Sequence, residues 1–343
     1  MLTKMTIRGM QGVPSYLLAL LVLIFTNYYL IREGIKMEKS LLGPSEITDK
    51  VVNIGVKKVK RTSSQMLLLG VLAGAFISLG AYAANMAVHS MSADNYGLIK
   101  FFQGAVFPVG LILVLVAGAD LFTGNTLIFL GVLEGEVSLK EMMKNWSLVY
   151  IGNFIGSILF AWIVYESGLF SASGGQLGAL HVKIAIGKTS LSFSQGLLRG
   201  ILANFVVCLA VWMAIGSNDM IGKVFASWFP IMAFVAGGFE HSIANMYYIP
   251  AGLLAKSQFG GLTSVSAEKL AHLNLNGFIS NLISVTLGNI IGGAVLVGGV
   301  YWLIFKNDTS EDIELNNSEL KSRALSTFCY LINLLIFNDV VHC

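Results

Sequence analysis

His241 stands within an apolar stretch, residues 232–250, that is long enough to approach a bilayer crossing; Glu240 is beside it, and Gly237 and Gly238 come just before. Ionisable groups at membrane depth are expensive and mark ion or substrate paths. An ordinary imidazole titrates at about pH 6.5, so it can offer a hydrogen bond or a proton to whatever passes it. The competing reading is a buried histidine bonded to its neighbours, with no transport role. A second polar interruption, Gly118-Ala-Asp-Leu-Phe-Thr-Gly-Asn125, carries Asp120 and Thr123. Thr123 reads as a hydroxyl offered to the same path, or as a cap for the half-helix that follows. Glu240 reads as structural, bonding backbone freed at its interruption or packing between subunits, and Asp120 likewise as a polar anchor for the first interruption. Adjacent residues on a helix do not face each other, so Glu240 need not touch the His241 ring.

Other chemistry is not legible. No metal-ligand cluster, Walker loop, GxSxG or dinucleotide fingerprint occurs, which argues against an enzyme, a metal or a cofactor. The cysteines, Cys208, Cys329 and Cys343, have no paired spacing, and Cys208 reads as a small core residue. A catalytic histidine would need a positioned partner, and none is visible around His241. Asn145-Trp-Ser147 and Asn307-Asp-Thr309 match the glycosylation pattern, a match common by chance.

These residues need elements to hold them. Of 343 residues 55% are apolar and 12% charged, whereas a soluble domain carries about 25% charged residues, so the chain is an integral membrane protein. A net charge of +3 implies no nucleic-acid partner. Six regions reach the roughly 20 apolar residues that a crossing requires: 66–90, 101–131, 146–167, 195–216, 225–255 and 277–305. The second and fifth are too long for one straight span and carry glycine and polar residues at mid-length, as discontinuous helices do. Lys57, Lys58, Lys60 and Arg61 precede the first span and place that end in the cytoplasm. The 132–145 loop and Lys223 then lie inside too, and the 168–194 loop, with Lys183 and Lys188, lies outside. Residues 45–61 read as an amphipathic helix at the cytoplasmic interface, started by Ser45 with Thr48 and Asp49; an ordinary charged linker is the alternative.

Three landmarks recur in order. Gly70-Val-Leu-Ala73 matches Gly200-Ile-Leu-Ala203. Phe107-Pro108 with Val116-Ala-Gly118 matches Phe229-Pro230 with Val235-Ala-Gly237. Gly152-Asn-Phe-Ile-Gly156 matches Gly288-Asn-Ile-Ile-Gly292. Each half then holds three spans, and an odd number inverts the second half about an axis in the membrane plane. Such folds put their pathway between the halves, at the interruptions. The glycines at 152, 156, 288, 292 and 293 suit close helix packing.

The stretches Gly118-Ala-Asp-Leu-Phe-Thr123 and Gly238-Phe-Glu-His-Ser-Ile-Ala-Asn-Met246, with Asn204 and Cys208-Leu-Ala-Val-Trp-Met213, resemble the formate/nitrite transporter family over residues 45–306. The resemblance implies an aquaporin-like fold built from an inverted three-helix repeat, and a homopentamer with one pore per subunit. It implies transport of small monovalent weak-acid anions: formate first, with hydrosulfide or nitrite close. His241 would be the central pore histidine and Thr123 part of the loop that breaks the second helix. Phe107, Leu111, Leu121 and Phe234 would form pore constrictions. Asn204 and Asn245 would be polar residues near the histidine, with interhelical bonding as the alternative for both and an equal reading for Asn245. Lys188 would attract anions, or be an ordinary loop residue. A neutral-solute pore of the aquaporin kind is the alternative, but it lacks its paired Asn-Pro-Ala motifs here; a membrane enzyme is a more distant one. The expected layout is a non-native extension at 1–36, a cytoplasmic amphipathic segment at 37–65, a transmembrane channel domain at 66–306 and a cytoplasmic tail at 307–343. The location expected is the bacterial inner membrane, with both termini in the cytoplasm and lipid around the body. The extension is inferred because Arg32-Glu-Gly-Ile-Lys-Met37 can be encoded by a purine-rich, ribosome-binding-site-like stretch ahead of a start at Met37. A signal peptide or a seventh span over 13–31 are the alternatives.

Overall fold

The computed structural model describes residues 41–306. The expectations for 1–36, for residues 37–40 of the amphipathic segment and for the tail at 307–343 fall outside them. The described chain is all α-helical apart from one isolated bridge between Leu41 and Ser217, and it forms a multi-pass membrane protein.

Helix α1 (Pro44–Val59) takes the place of the expected interfacial helix and buries Ile47, Val51, Val52 and Val59 on one side. That one-sided burial favours the helix over the linker reading. Its start differs from expectation. Pro44 presets the first turn, the Glu46 carboxylate accepts the Gly43 N–H at 2.8 Å, and Thr48 Oγ1 donates back to the Pro44 carbonyl.

Helix α2 (Ser63–Val88) follows. Next come α3 (Tyr96–Val106) and α4 (Val109–Leu113), which runs into a π-turn at Val114–Gly118. The backbone is extended at Ala119 and Leu121, and helix resumes as α5 (Phe122–Asn125) and α6 (Phe129–Leu133). Helix α7 (Leu139–Glu166) begins at the Ser138 cap, several residues before the expected 146. The expected outer loop at 168–194 is instead largely helix α8 (Ala172–Thr189). It buries Leu177, His181, Val182 and Ala185, and its first turn is broken by left-handed Ser173, Gly174 and Gly175. Its glycine-rich start and charged exposed face hid that buried stripe. Helix α9 (Phe193–Gly216) leads to α10 (Met220–Ala236), whose start Asp219 caps by accepting the Gly222 N–H at 2.6 Å. That bond holds the Asp219 carboxyl below the ordinary carboxylate range. Helix α11 (Ser242–Phe259) follows a second interruption, and α12 (Ala267–Ala271), α13 (Leu275–Ile290), a π-segment (Ile291–Gly299) and α14 (Val300–Phe305) complete the described chain.

Five runs among the described residues are long and apolar enough to cross a membrane, where six were expected: Ser63–Val88, Ala93–Gly118, Leu139–Glu166, Phe193–Gly216 and Leu275–Phe305. The missing one is 225–255, which residues 237–241 divide into α10 and α11. Helix α2 packs against α7, and α9 against α13. A Cβ on Gly152 would strike the Leu67 carbonyl and Gly70, and one on Gly288 would strike the Leu197 carbonyl and Gly200. Only hydrogen fits at these crossings, as the glycine pattern predicts.

Candidate functional site

The two interruptions are built alike. Gly118 and Gly238 both turn the chain at positive φ (91° and 70°), a region open to glycine at little cost. The structural counterpart of Gly118 is thus Gly238, one residue beyond the Gly237 of the sequence match. Leu121 and His241 are the extended residues on which the second half-helices start (φ −101°, ψ 124° and φ −115°, ψ 118°). The freed backbone is met by two asparagines that the sequence reading did not single out. Asn153 Nδ2 donates to the carbonyls of Gly70 (2.8 Å) and Asp120 (3.0 Å), and its Oδ1 accepts the Phe122 N–H (2.9 Å). Asn289 repeats this with Gly200 (2.8 Å), Glu240 (3.0 Å) and the Ser242 N–H (2.9 Å). The signal was present: both sit at the same place in the Gly-Asn-x-Ile-Gly repeat. Backbone buried at this depth must be satisfied internally, and these amides do it.

Each interruption also carries a buried acid. Asp120, fully buried, pairs with Lys58 at 3.0 Å and with Arg61. Glu240, 5% exposed, pairs with Lys188 at 3.0 Å. Asparagines extend both pairs. Asn125 accepts from Lys58 and donates to Asn145 at 2.9 Å. Asn245 donates to Glu240 at 2.7 Å and to Asn281 at 2.8 Å, and Asn281 donates to the Lys188 carbonyl at 2.9 Å. Both acids are therefore held by basic side chains, while the freed backbone, for which they were the expected anchors, is met by Asn153 and Asn289; Asn245 is engaged between helices. Asn145 is buried in this network, so its glycosylation match offers no accessible acceptor.

His241 is 2% exposed. Its Nδ1 accepts the Ala244 N–H at 3.2 Å and caps α11. Its Nε2 lies 2.7 Å from Thr123 Oγ1. A ring nitrogen that accepts an amide hydrogen carries no proton, so the neutral ring is protonated at Nε2 and donates to Thr123. The Thr123 hydroxyl hydrogen is then left to donate elsewhere. Thr123 is held from behind: Asn204 Nδ2 donates to its carbonyl at 3.2 Å and to the Asn289 carbonyl at 2.6 Å, and Thr126 Oγ1 donates to the Thr123 carbonyl at 2.6 Å. Cys208 Sγ sits 3.4 Å from the same carbonyl. Asn204 and Cys208 are fully buried behind the Thr123 turn, not against the cavities described next.

A chamber of about 10 Å³ is walled by Phe107, Leu111, Leu121, Phe234 and His241, together with Ile77, Val207 and Ile231. It has room for about one water. The constriction residues expected from sequence thus converge on one place, and the three further aliphatic walls were missed because nothing separates them by type from lipid-facing neighbours. The Phe107 and Phe234 rings meet edge-on at 5.9 Å, and Phe234 meets the His241 ring at 6.0 Å. A vestibule of about 280 Å³ opens on one side, sharing Phe107, Phe234 and His241 with the chamber. It contains Lys100, Lys183, Lys188 and Arg199 against the single acid Glu240. On the other side lies a vestibule of about 420 Å³, with Lys50, Lys58, Arg61 and Lys223 against Asp120. Both mouths are basic, which favours anions at either end. Among the described residues no three acidic, histidine or cysteine side chains could hold a metal ion.

The sequence model of the formate/nitrite transporter family matches residues 45–303. A probable formate transporter of Methanothermobacter thermautotrophicus is 39% identical over 285 residues, covering 78% of this chain and 99% of that protein. The formate channel FocA of Escherichia coli (strain K12) is 38% identical over 270 residues, covering 77% and 95%. A solved pentameric formate channel with formate bound superposes with a TM-score of 0.64 at 37% identity, covering 71% of this chain and 98% of that one.

Proposed function

The chain belongs to the formate/nitrite transporter family and is a transmembrane channel for small monovalent anions such as formate, not an enzyme; on that premise we propose that formate passes the chamber beside His241, with hydrosulfide and nitrite as rival cargoes. The observation that carries this reading is the Thr123–His241 hydrogen bond at the edge of an apolar chamber between two basic vestibules. Phe107, Leu111, Leu121 and Phe234 strip water from the anion. A bare charge there costs at least a few kcal/mol. The free hydrogen of the Thr123 hydroxyl, directed by the Nε2–H of His241, offsets part of that cost. Proton transfer demands more. Neutral His241 can release only its Nε2 proton, which would leave an imidazolate. It becomes a proton donor only after Nδ1 is protonated and the Ala244 cap is broken. Hydrogen-bond donation by the Thr123–His241 pair is therefore the resting mode, and proton transfer is a second mode coupled to opening the start of α11.

We assign the chain six crossings in an inverted three-plus-three repeat, with α10 and α11 forming the fifth. The duplicated anchors, Asn153 with Asn289 and Asp120 with Glu240, support it. The Glu240 vestibule faces outward and α1 lies on the cytoplasmic side, in a bacterial inner membrane, because of the basic run before α2. Five copies assemble around a common axis, a reading supported by the pentameric state of the solved formate channel.

Uptake of formate, nitrite and hydrosulfide into proteoliposomes, for wild type and His241→Ala across pH, tests the reading. Wild type should carry formate, and the variant should lose it by an order of magnitude or more, as expected when a buried bond worth about 1–3 kcal/mol is removed. Equal flux of all three anions in the variant at every pH would remove His241 from charge handling. Water or glycerol flux without anion flux would overturn the formate reading.

A further inference from the structure

We infer that the side-chain amide of Gln103, held in place by Asn85, is a binding site for a small carboxylate at the entrance to the apolar chamber. It rests on the anion-channel reading and adds a station to it. Lys100, Gln103, Phe107 and Leu111 follow one another at intervals of three, four and four residues, and so share one helical face. The first three line the Glu240 vestibule, and Phe107 and Leu111 line the chamber beyond. An anion moving along this stripe meets an ammonium, then an amide, then a phenyl ring. Gln103 is the last polar side chain of the stripe before the phenylalanine constriction, where an anion must begin to exchange water for protein donors.

Gln103 is 7% exposed, and its Nε2 donates to Asn85 Oδ1 at 3.3 Å. That bond uses one of the two amide hydrogens, and no described residue accepts the other. Asn85 is fully buried among Ala81, Ala84 and Val88 of α2, and its own Nδ2 has no partner. An amide half satisfied in an apolar setting destabilises the fold, so packing does not account for it. Its one hydrogen bond turns the Gln103 carboxamide. Asn85 is thus a positioning residue, and Gln103 is the group that meets the anion. A carboxylate accepts such a hydrogen bond strongly because the bond is charge-assisted. Hydrosulfide is charged too, but its single large sulfur accepts a hydrogen bond less strongly than the compact, paired oxygens of a carboxylate. The pair therefore favours formate over hydrosulfide.

The test is flux of formate and hydrosulfide into proteoliposomes containing the full chain, over a range of concentrations. Gln103→Leu should raise the half-saturating formate concentration about three- to tenfold, the worth of one hydrogen bond, and leave hydrosulfide flux at wild-type level. That unchanged flux also reports intact folding. Asn85→Leu should move the formate-to-hydrosulfide ratio the same way by less, and Asn85→Leu with Gln103→Leu should match Gln103→Leu alone. Gln103→Ala carries the same expectation should the leucine variant fail to assemble. An unchanged ratio in Gln103→Leu or Gln103→Ala overturns the site. An Asn85 effect that adds in full to that of Gln103 overturns the positioning role. A wild type that carries neither anion would instead sink the channel reading beneath both.

Discussion

At the scale of single residues, the tautomer of His241 governs what the centre can do. Nδ1 is occupied by the Ala244 N–H, so the ring donates through Nε2 to Thr123. On the proposed reading the Thr123 hydroxyl is the group offered to the anion, and its loss should cost nearly as much as loss of the histidine. Thr123→Val keeps shape and burial but removes the hydroxyl. Formate flux should fall by about one to two orders of magnitude, from about 1–3 kcal/mol of lost stabilisation. Thr123→Ser should stay within a few-fold of wild type. Stopped-flow uptake at fixed pH measures both, and a valine variant as fast as serine would remove Thr123 from the path. The sequence marked both residues as polar at membrane depth. Their 2.7 Å bond spans 118 positions of chain, and no local pattern encodes that distance.

At the scale of elements, the interruptions stand because two asparagines from other helices complete their backbone hydrogen bonding. Asn153 and Asn289 each satisfy one amide hydrogen and two carbonyls. Replacing either by alanine leaves buried groups orphaned at about 1–3 kcal/mol each. Asn153→Ala and Asn289→Ala should both lower the unfolding midpoint in detergent by several degrees, and by similar amounts. A large loss from one and none from the other would break the equivalence of the two halves. The sequence showed the repeat in the Gly-Asn-x-Ile-Gly motif, and its glycines were read correctly as packing residues. The asparagine between them was passed over, because its partners lie on the helices where the chain breaks and only docking reveals them. Helix α8 was missed for a related reason: its apolar face is short, and it becomes evident as a face only against α11.

At the scale of the whole molecule, charge is arranged so that each mouth is basic while each interruption is neutralised. Lys188, the residue expected to attract anions, is held by Glu240. Long-range attraction at that mouth therefore falls to Lys100, Lys183 and Arg199, which form no ion pair with a described acid. Lys183→Glu with Arg199→Glu should slow formate entry several-fold at low ionic strength. The difference should shrink toward 1 M salt, where the Debye length drops to about 3 Å from about 10 Å at 0.1 M. A defect that persists unchanged at high salt would mean that these residues act by contact and not by field.

What the sequence determined by itself was the class of molecule and the inventory of its centre. Hydropathy forces buried helices, interruptions at membrane depth require polar company, and motifs of repeated type point to two matched interruptions. His241 and Thr123 were legible at that level as polar residues at membrane depth, whereas Phe107, Leu111, Leu121 and Phe234 stood out only through the family resemblance. Tertiary structure alone decided their partners. It engages Asn204 and Asn245 between helices, ties Lys188 to Glu240, and closes the chamber with Ile77, Val207 and Ile231. The physical reason is range. Hydrophobicity and helical period are written within a few turns of chain, whereas a hydrogen bond or a cavity wall depends on which distant helix arrives opposite.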